Sequence, residues 1–232
     1  MTAQEILQNV IEASGGDTWH SPQTLWLKGE AFFTPFGLTD EAHFLHFNQY
    51  ELHRVFPTTN DSARTANGKI RFDARYGSQE FFSLRFDGVH SKMQLSERAK
   101  PYAKHFEWSN NFGFSIIRHA LAQGFDLQRL TDDTFDGHDC FLIKLTDTKG
   151  GETFYGIDRQ HFYIRYLHFQ TAVGFHHRIY SDFVKVEGQN FIQPQRLRIY
   201  FEGIRWMDIR WQQFAVNQPI DDVVFNTDSP NR

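Results

Sequence analysis

Apolar and polar residues alternate along most of this chain, and this period of two is typical of β-strands. Between residues 69 and 76, the apolar residues Ile70, Phe72 and Ala74 alternate with charged ones, so we expect one side of this strand to face water. Asp87-Gly88 separates two further alternating stretches and is a strong hairpin signal. Extended along the chain, the pattern predicts about ten or eleven short strands.

Two segments instead show the 3.6-residue period of helices. The first begins at Thr2, whose spacing from Glu5 is that of a capping box, and ends at Gly15-Gly16. The second is predicted over residues 109–123 and ends before a glycine. The apolar stripes consist of Ile6, Leu7, Val10 and Ile11 in the first helix, and of Ile116, Ile117, Ala120 and Leu121 in the second.

Short strands in series, joined by glycine-containing turns, favour antiparallel pairing between neighbours. No linker rich in proline, glycine or serine divides the chain, so we expect residues 1–232 to form a single domain. The two apolar helix stripes must lie against a sheet face. We therefore predict a mainly β (α+β) fold, in which one strongly curved antiparallel sheet forms an incomplete barrel and both helices pack on its concave side.

The aromatic content indicates either a thick core or a ligand cavity. The 25 phenylalanines and the 16% share of aromatic residues exceed what a core of this size ordinarily needs. Because each ring buries about 150–250 Å², we expect either a thick core or the wall of a cavity for a lipophilic molecule. The formal net charge of −4, with 24 basic and 28 acidic residues, excludes the basic surface that a nucleic-acid partner requires.

The single cysteine and the short apolar runs exclude further classes of protein. Cys140 is the only cysteine, which excludes an internal disulfide and a multi-cysteine zinc site, and we interpret it as a small buried residue. No apolar run approaches the roughly 18–20 residues of a membrane span, so no transmembrane segment is expected. We expect a cytoplasmic protein as the sequence is written, or a periplasmic one if Met1 replaces a removed leader.

Several short motifs in the C-terminal half recur in this order in one superfamily. The chain resembles the bacterial lipoprotein carriers of the outer-membrane lipoprotein-sorting (LolA/LolB-like) superfamily, and its N-terminal helix is similar to that of uncharacterised relatives there. The resemblance implies an incomplete antiparallel barrel whose concave face holds acyl chains or other lipophilic molecules. The motifs are Tyr155-Gly156-Ile157-Asp158, Tyr180-Ser181-Asp182-Phe183, Val186-Glu187-Gly188 with Pro194, and Asn217-Gln218-Pro219-Ile220-Asp221.

A long strand predicted over residues 41–56 supplies most of the candidate site. Regular alternation places Phe44 and Tyr50 on one face together with hydrogen-bonding side chains, and the same argument joins His168 to Ile164 on a later strand. Rings with a few convergent polar groups are the usual composition of a small-molecule site. The predicted ligand-binding residues are Phe44, His46, Tyr50, Arg54, Tyr166, His168 and Trp211. The alternative is that the polar tips reach solvent at the sheet edge.

Acid–base chemistry could be assembled from His46 or His168 with a carboxylate such as Asp182 or Asp208. For Asp208, a surface ion pair with Arg210 is the competing interpretation. The twelve histidines do not predict a metal site, because neighbours such as His176 and His177 point to opposite faces of a strand. No nucleotide or other cofactor motif is present, and no cofactor is expected.

Three functions remain open from the sequence. The first is binding of a lipophilic small molecule or lipid, with His46, Tyr50, Arg54 and His168 orienting its polar end. The second is a cofactor-independent enzyme, such as a cyclase, isomerase or hydrolase acting on a hydrophobic substrate. The third is a protein-interaction module that exposes Trp206 and Trp211. The sequence leaves the ligand, the oligomeric state and the identity of the concave face undetermined.

Overall fold

A computed structural model of the chain describes residues 1–35, 44–57, 68–106 and 114–227. Its helices include α1 (Ala3–Ser14), α2 (Asp17–His20) and α3 (Phe114–Arg118), residues 103–106 are also helical, and 3₁₀ turns lie at Lys100–Tyr102 and Asp222–Phe225. Its strands are β1 (Thr24–Phe33), β2 (Leu45–Val55), β3 (Lys69–Tyr76), β4 (Gln79–Phe86), β5 (Ser91–Leu95), β6 (Asp126–Arg129), β7 (Asp133–Phe135), β8 (His138–Thr146), β9 (Glu152–Asp158), β10 (Ile164–Thr171), β11 (Gly174–Lys185), β12 (Ile192–Phe201) and β13 (Ile204–Val216).

These thirteen strands of the described residues form one antiparallel sheet, in the order β5-β4-β3-β2-β1-β13-β12-β11-β10-β9-β8-β6, with β7 paired to β8. The prediction of a mainly β fold with a single antiparallel sheet is confirmed, although the strands outnumber the ten or eleven predicted. The sheet is open and not strongly curled, since β5 and β6 are its two ends and do not pair with each other. The strongly curved half-barrel is thus corrected to an open sheet.

The first helix forms as predicted. The Thr2 hydroxyl accepts from the Glu5 backbone N–H at 3.2 Å, and the Thr2 backbone N–H donates to the Glu5 carboxylate at 2.7 Å. The helix ends at Gly15, whose carbonyl oxygen accepts from the Asn190 side chain at 3.1 Å. A Cβ atom on Gly15 would lie 2.2 Å from the Asn190 carbonyl oxygen, so only glycine allows this close approach of the helix end to the β11–β12 turn.

The second predicted helix ends earlier than its pattern suggested. Helix α3 covers Phe114–Arg118, turns follow it, and residues 109–113 lie outside the described part. Ile116, Ile117 and Ala120 are buried as predicted, but Leu121 is 47% exposed because the helix has ended before it. The first residues of the strand predicted over residues 41–56 also lie outside the described part.

The two faces of the sheet are defined by β1. Leu25, Leu27 and Phe33 are buried on what we call the inner face, whereas Trp26 and Phe32 alternate with them on the outer face. The inner face carries the hydrophobic core, and both α1 and α3 contribute to it. Ring centroids 5.0–5.9 Å from that of Phe33 belong to Phe47, Phe81, Tyr102, Phe106 and Trp206.

The side of β3 that the sequence predicted to face water is instead covered by the C-terminal segment, residues 218–227. Arg71 on that side donates to the backbone carbonyl of Val224 at 3.4 Å, and Arg85 on β4 donates to that of Asn226 at 3.2 Å. Asp73, beneath this segment, accepts from Arg71 at 2.6 Å. The alternation correctly separated the faces of β3, but it carries no information about a distant segment that covers one of them.

A candidate ligand cavity on the inner face

The strand that supplies most of the predicted site contains a β-bulge. Opposite β1, Gly29 pairs with Tyr50 and Ala31 pairs with Phe47, so two residues of β2 face a single residue of β1. Phe47 and Tyr50 are therefore both buried on the inner face although they are three positions apart. Because a bulge shifts the alternation by one residue, the predicted common face of this strand is wrong.

The bulge places His46 on the outer face. Its ring stacks on Phe32 with centroids 4.7 Å apart, and its Nε2 atom lies 2.7 Å from a Glu30 carboxylate oxygen. Phe44 lies in the same outer region, where the Arg205 guanidinium carbon is 4.7 Å from its ring centroid. Of the predicted binding residues on this strand, Tyr50 and Arg54 follow the bulge and reach the inner face.

A second bulge separates Tyr166 and His168 from the inner face. Ile164 pairs with Ile157 and Tyr166 pairs with Gly156, so Arg165 is the extra residue of β10. Ile164 joins the inner core, while the rings of Tyr166 and His168 stack with centroids 6.1 Å apart in a separate outer cluster. The predicted alignment of Ile164 with His168 is therefore wrong.

The proposed acid–base partners do not meet these histidines in the structure. Asp182 is exposed and its carboxylate accepts from the Ser181 hydroxyl at 3.2 Å. Asp208 is 4% exposed, and its carboxylate accepts hydrogen bonds from Nε and a terminal nitrogen of Arg196 at 3.0 and 2.6 Å. Its partner is Arg196 of β12 rather than Arg210. The register places Arg198 opposite Asp208, so Arg196 is the diagonal cross-strand neighbour, which a long side chain can reach.

The inner face contains a cavity of about 140 Å³ beneath α3. This volume is close to the ~150 Å³ of an apolar cavity that takes up benzene. Side chains from six strands and α3 surround it, and most of them are apolar. The described lining residues are Leu25, Leu27, Tyr50, Leu52, Arg54, Phe56, Ile70, Phe72, Phe114, Arg118, Arg178, Tyr180, Gln193, Pro194, Leu197, Ile199, Ile209 and Trp211.

Neither a family model nor a curated protein matches this sequence. Among solved structures, the chain is similar to a DUF1329 family protein from Desulfovibrio piger, with 10% identity, a TM-score of 0.62, and coverage of 97% of this chain and 98% of that one. It is similar to a domain described as an outer membrane lipoprotein-sorting protein from Vibrio parahaemolyticus, with 12% identity, a TM-score of 0.54, and coverage of 96% and 95%.

A LolA superfamily protein from Nitrosomonas europaea matches with 14% identity and a TM-score of 0.51, over 98% of this chain and 99% of that one. The chain shares the fold of LolA superfamily proteins. At these identities the likeness concerns the fold alone. The resemblance seen in the sequence motifs is thereby confirmed as a structural similarity. In the described part of the chain, no helix is long and apolar enough to cross a membrane.

One of the motifs that carried the resemblance to this LolA-like fold has a structural role. Asp158 ends β9, and its carboxylate accepts from the backbone N–H groups of Gln160 and His161 at 2.9 and 2.7 Å. Arg165 donates two further hydrogen bonds to it at 3.1 and 2.9 Å. These donors lower the pKa of Asp158 against the opposing effect of burial, so the motif fixes the β9–β10 turn.

Three arginines enter the cavity from different elements: Arg54 from β2, Arg118 from α3 and Arg178 from β11. Arg118 and Arg178 are 5% and 4% exposed. The described residues that line the cavity include no carboxylate. Burial lowers the pKa of Arg54 to about 10 and that of Arg118 to about 9, and repulsion from neighbouring arginines adds to both effects.

The structure thus brings together three of the seven predicted ligand-binding residues, namely Tyr50, Arg54 and Trp211. Sequence reasoning missed Arg118 and Arg178. Arg118 lies on a helix that begins at the edge of the described residues, and its helical period alone did not single it out. Arg178 was detectable, since it occupies the same face as the buried Tyr180 in an alternating strand.

The exposed aromatic patch of the interaction-module hypothesis is absent at the residues named for it. Trp206 is 0% exposed within the core, and Trp211 is 5% exposed at the cavity wall. Their strand β13 lies in the middle of the sheet between β1 and β12, so both indole rings are covered on the inner face. These two residues therefore cannot supply an exposed surface for a protein partner.

Proposed function

We propose that this protein binds a lipophilic small molecule or lipid in the cavity between the inner face of the sheet and α3. The observation that carries the proposal is the cavity itself, which is walled mainly by aliphatic and aromatic side chains. Transfer of apolar surface from water into such a wall contributes about 25 cal/mol per Å². The cavity would therefore favour a hydrophobic guest without any covalent or catalytic step.

The fold comparisons support the same class of function. One structural relative is described as an outer membrane lipoprotein-sorting protein, and another belongs to the LolA superfamily. We extend to this chain the handling of a hydrophobic cargo and a location in the cell envelope. In this proposal the inner face of the open sheet and the short helix α3 enclose the guest.

A cavity-filling substitution tests the proposal. Leu197→Phe adds volume at the cavity wall, and Leu121→Phe is the matched control because Leu121 is 47% exposed. Isothermal titration calorimetry with octanol measures binding to each variant. We expect Leu197→Phe to weaken octanol binding at least about tenfold by occluding the site, and Leu121→Phe to bind as the unmodified protein does. Equal binding by both variants would place the guest elsewhere and overturn the proposal.

A further inference from the structure

Cationic side chains in a mainly apolar cavity require a physical explanation. Transfer of a guanidinium from water to an apolar environment is unfavourable unless an anion or hydrogen-bond acceptors compensate. The Nε atoms of Arg54 and Arg118 are buried and have no hydrogen-bond partner. No salt bridge joins either guanidinium to a carboxylate in the described part of the chain.

Ring contacts account for part of the packing of these arginines. The Arg118 guanidinium carbon lies 4.6 Å from the Trp19 ring centroid and 5.5 Å from that of Phe56, and the Arg54 guanidinium carbon lies 5.0 Å from that of Phe56. Cation–π contacts contribute attraction through the ring quadrupole, but they leave the positive charge in place. Phe56 is thus shared between two like charges.

Arg178 has hydrogen-bond partners of its own. It donates through Nε to Nε2 of His176 at 2.8 Å, and it bonds with Tyr180. Because His176 accepts from a cation and is fully buried, its pKa is held well below the usual range, by burial first and by the Arg178 charge second. His176 therefore stays neutral, and the positive charge of the arginines remains unbalanced by it.

We infer that the cavity takes an anionic amphiphile, whose carboxylate or phosphate head lies between Arg54, Arg118 and Arg178 while its hydrocarbon part contacts the apolar wall. The inference rests on the proposed function and specifies its ligand class. A planar guanidinium presents paired N–H donors that match the oxygens of either head group. The apolar lining residues Leu25, Leu27, Leu52 and Ile199 supply the contact for the tail.

The test uses probes that share one tail and differ in head group: octanoate, octyl phosphate, neutral octanol and cationic octyltrimethylammonium. Inorganic phosphate alone is the probe without a tail. Each is titrated into the full chain by calorimetry. We expect octanoate or octyl phosphate to bind at least about tenfold more tightly than octanol, because hydrogen bonds to a charged group are stronger than those between neutral groups. The anionic probe that binds more tightly identifies the head group.

Arginine variants locate the effect. Arg54→Gln and Arg118→Gln should each remove most of the preference for the anionic probe over octanol, and Arg118→Lys should restore part of it. Arg210→Gln is the matched control, because Arg210 is exposed on the outer face over Phe32. Circular dichroism confirms that every variant is folded, and octanol binding by the glutamine variants shows that the cavity is intact.

Each other outcome contradicts a defined part of the account. Equal affinity for octanoate, octyl phosphate and octanol would overturn the anionic class and leave the proposed function standing. Tighter binding of octyltrimethylammonium would overturn it as well. Inorganic phosphate binding as tightly as octyl phosphate would show a small-anion site without a role for the tail. Failure of every octyl probe to bind would overturn the proposed function itself.

Discussion

Replacing Arg118 with methionine should stabilise the ligand-free protein. Burial and the neighbouring Arg54 charge lower the pKa of Arg118 far below its usual range, to about 9, which at about 1.4 kcal/mol per pH unit corresponds to roughly 5 kcal/mol against the charged form. The substitution removes this cost, but it also removes the cation–π contact with Trp19, which contributes about 0.5–2 kcal/mol. Methionine retains the apolar contacts of the arginine stem.

Small movements of the surrounding protein and entry of water reduce the cost of burying the Arg118 charge. We therefore expect a net increase of about 1–3 kcal/mol in the free energy of unfolding. Apolar replacements of buried charges elsewhere stabilise by a similar ~1–4 kcal/mol. Urea unfolding followed by far-ultraviolet circular dichroism measures the change directly. In a thermal scan, the same change should raise the Tm by several degrees, at about 2–4 °C per kcal/mol for a domain of this size.

The control is Arg210→Met, which removes an exposed arginine lying 5.1 Å from the Phe32 ring centroid. Because its charge is hydrated, we expect a change within about 0.5 kcal/mol. A loss of more than about 1 kcal/mol in Arg118→Met would refute the reasoning. It would mean that the contacts of Arg118 stabilise the folded chain by more than the burial of its charge costs, and the arginine would then need no anionic ligand to explain it.

Three further predictions concern other parts of the molecule. The pKa values of His119 and His177 are lowered to about 4, mainly by burial. Below pH 6.5 these histidines therefore take up protons in the unfolded chain but not in the folded chain. The free energy of unfolding should therefore fall by about 1–2 kcal/mol per histidine between pH 6.5 and 4 in urea titrations, and a flat profile would contradict this. Gly156→Ala places a Cβ atom 2.0 Å from the Tyr166 ring, and urea unfolding should show a loss of about 1–3 kcal/mol; an unchanged midpoint would exclude the close contact. Thr2→Ala removes the α1 capping box and should cost about 1 kcal/mol in the same assay, whereas Thr2→Ser should cost little.

Most of the secondary structure followed from the sequence because its causes are local. Alternation identified the strands, the Thr2–Glu5 spacing identified the start of α1, and Asp87-Gly88 identified the β4–β5 hairpin. The sheet order could be partly predicted, since neighbouring strands in sequence pair along most of the sheet. The pairing of β1 with β13 joins the first and the last of the described strands, and no local pattern indicated it.

The candidate site was harder to predict, because a single bulge moves every later side chain of its strand to the opposite face of the sheet. His46 and Tyr50 have the spacing of one strand face, yet the bulge opposite Glu30 places them on opposite faces. The bulge at Arg165 does the same to Ile164 and Tyr166. Neither bulged segment contains a glycine or proline, and the isolated glycines beside the two register shifts, Gly29 and Gly156, lie on the partner strands.

The central claim is that the inner-face cavity holds a lipophilic molecule. The most direct measurement is native mass spectrometry of the purified chain before and after extraction with organic solvent, followed by mass analysis of the extract. The account predicts an adduct on the folded protein that extraction removes, and a released compound with a hydrocarbon portion and an acidic head group. A protein that shows only the mass of the bare chain, and that takes up no octyl probe when it is offered in excess, would contradict the account.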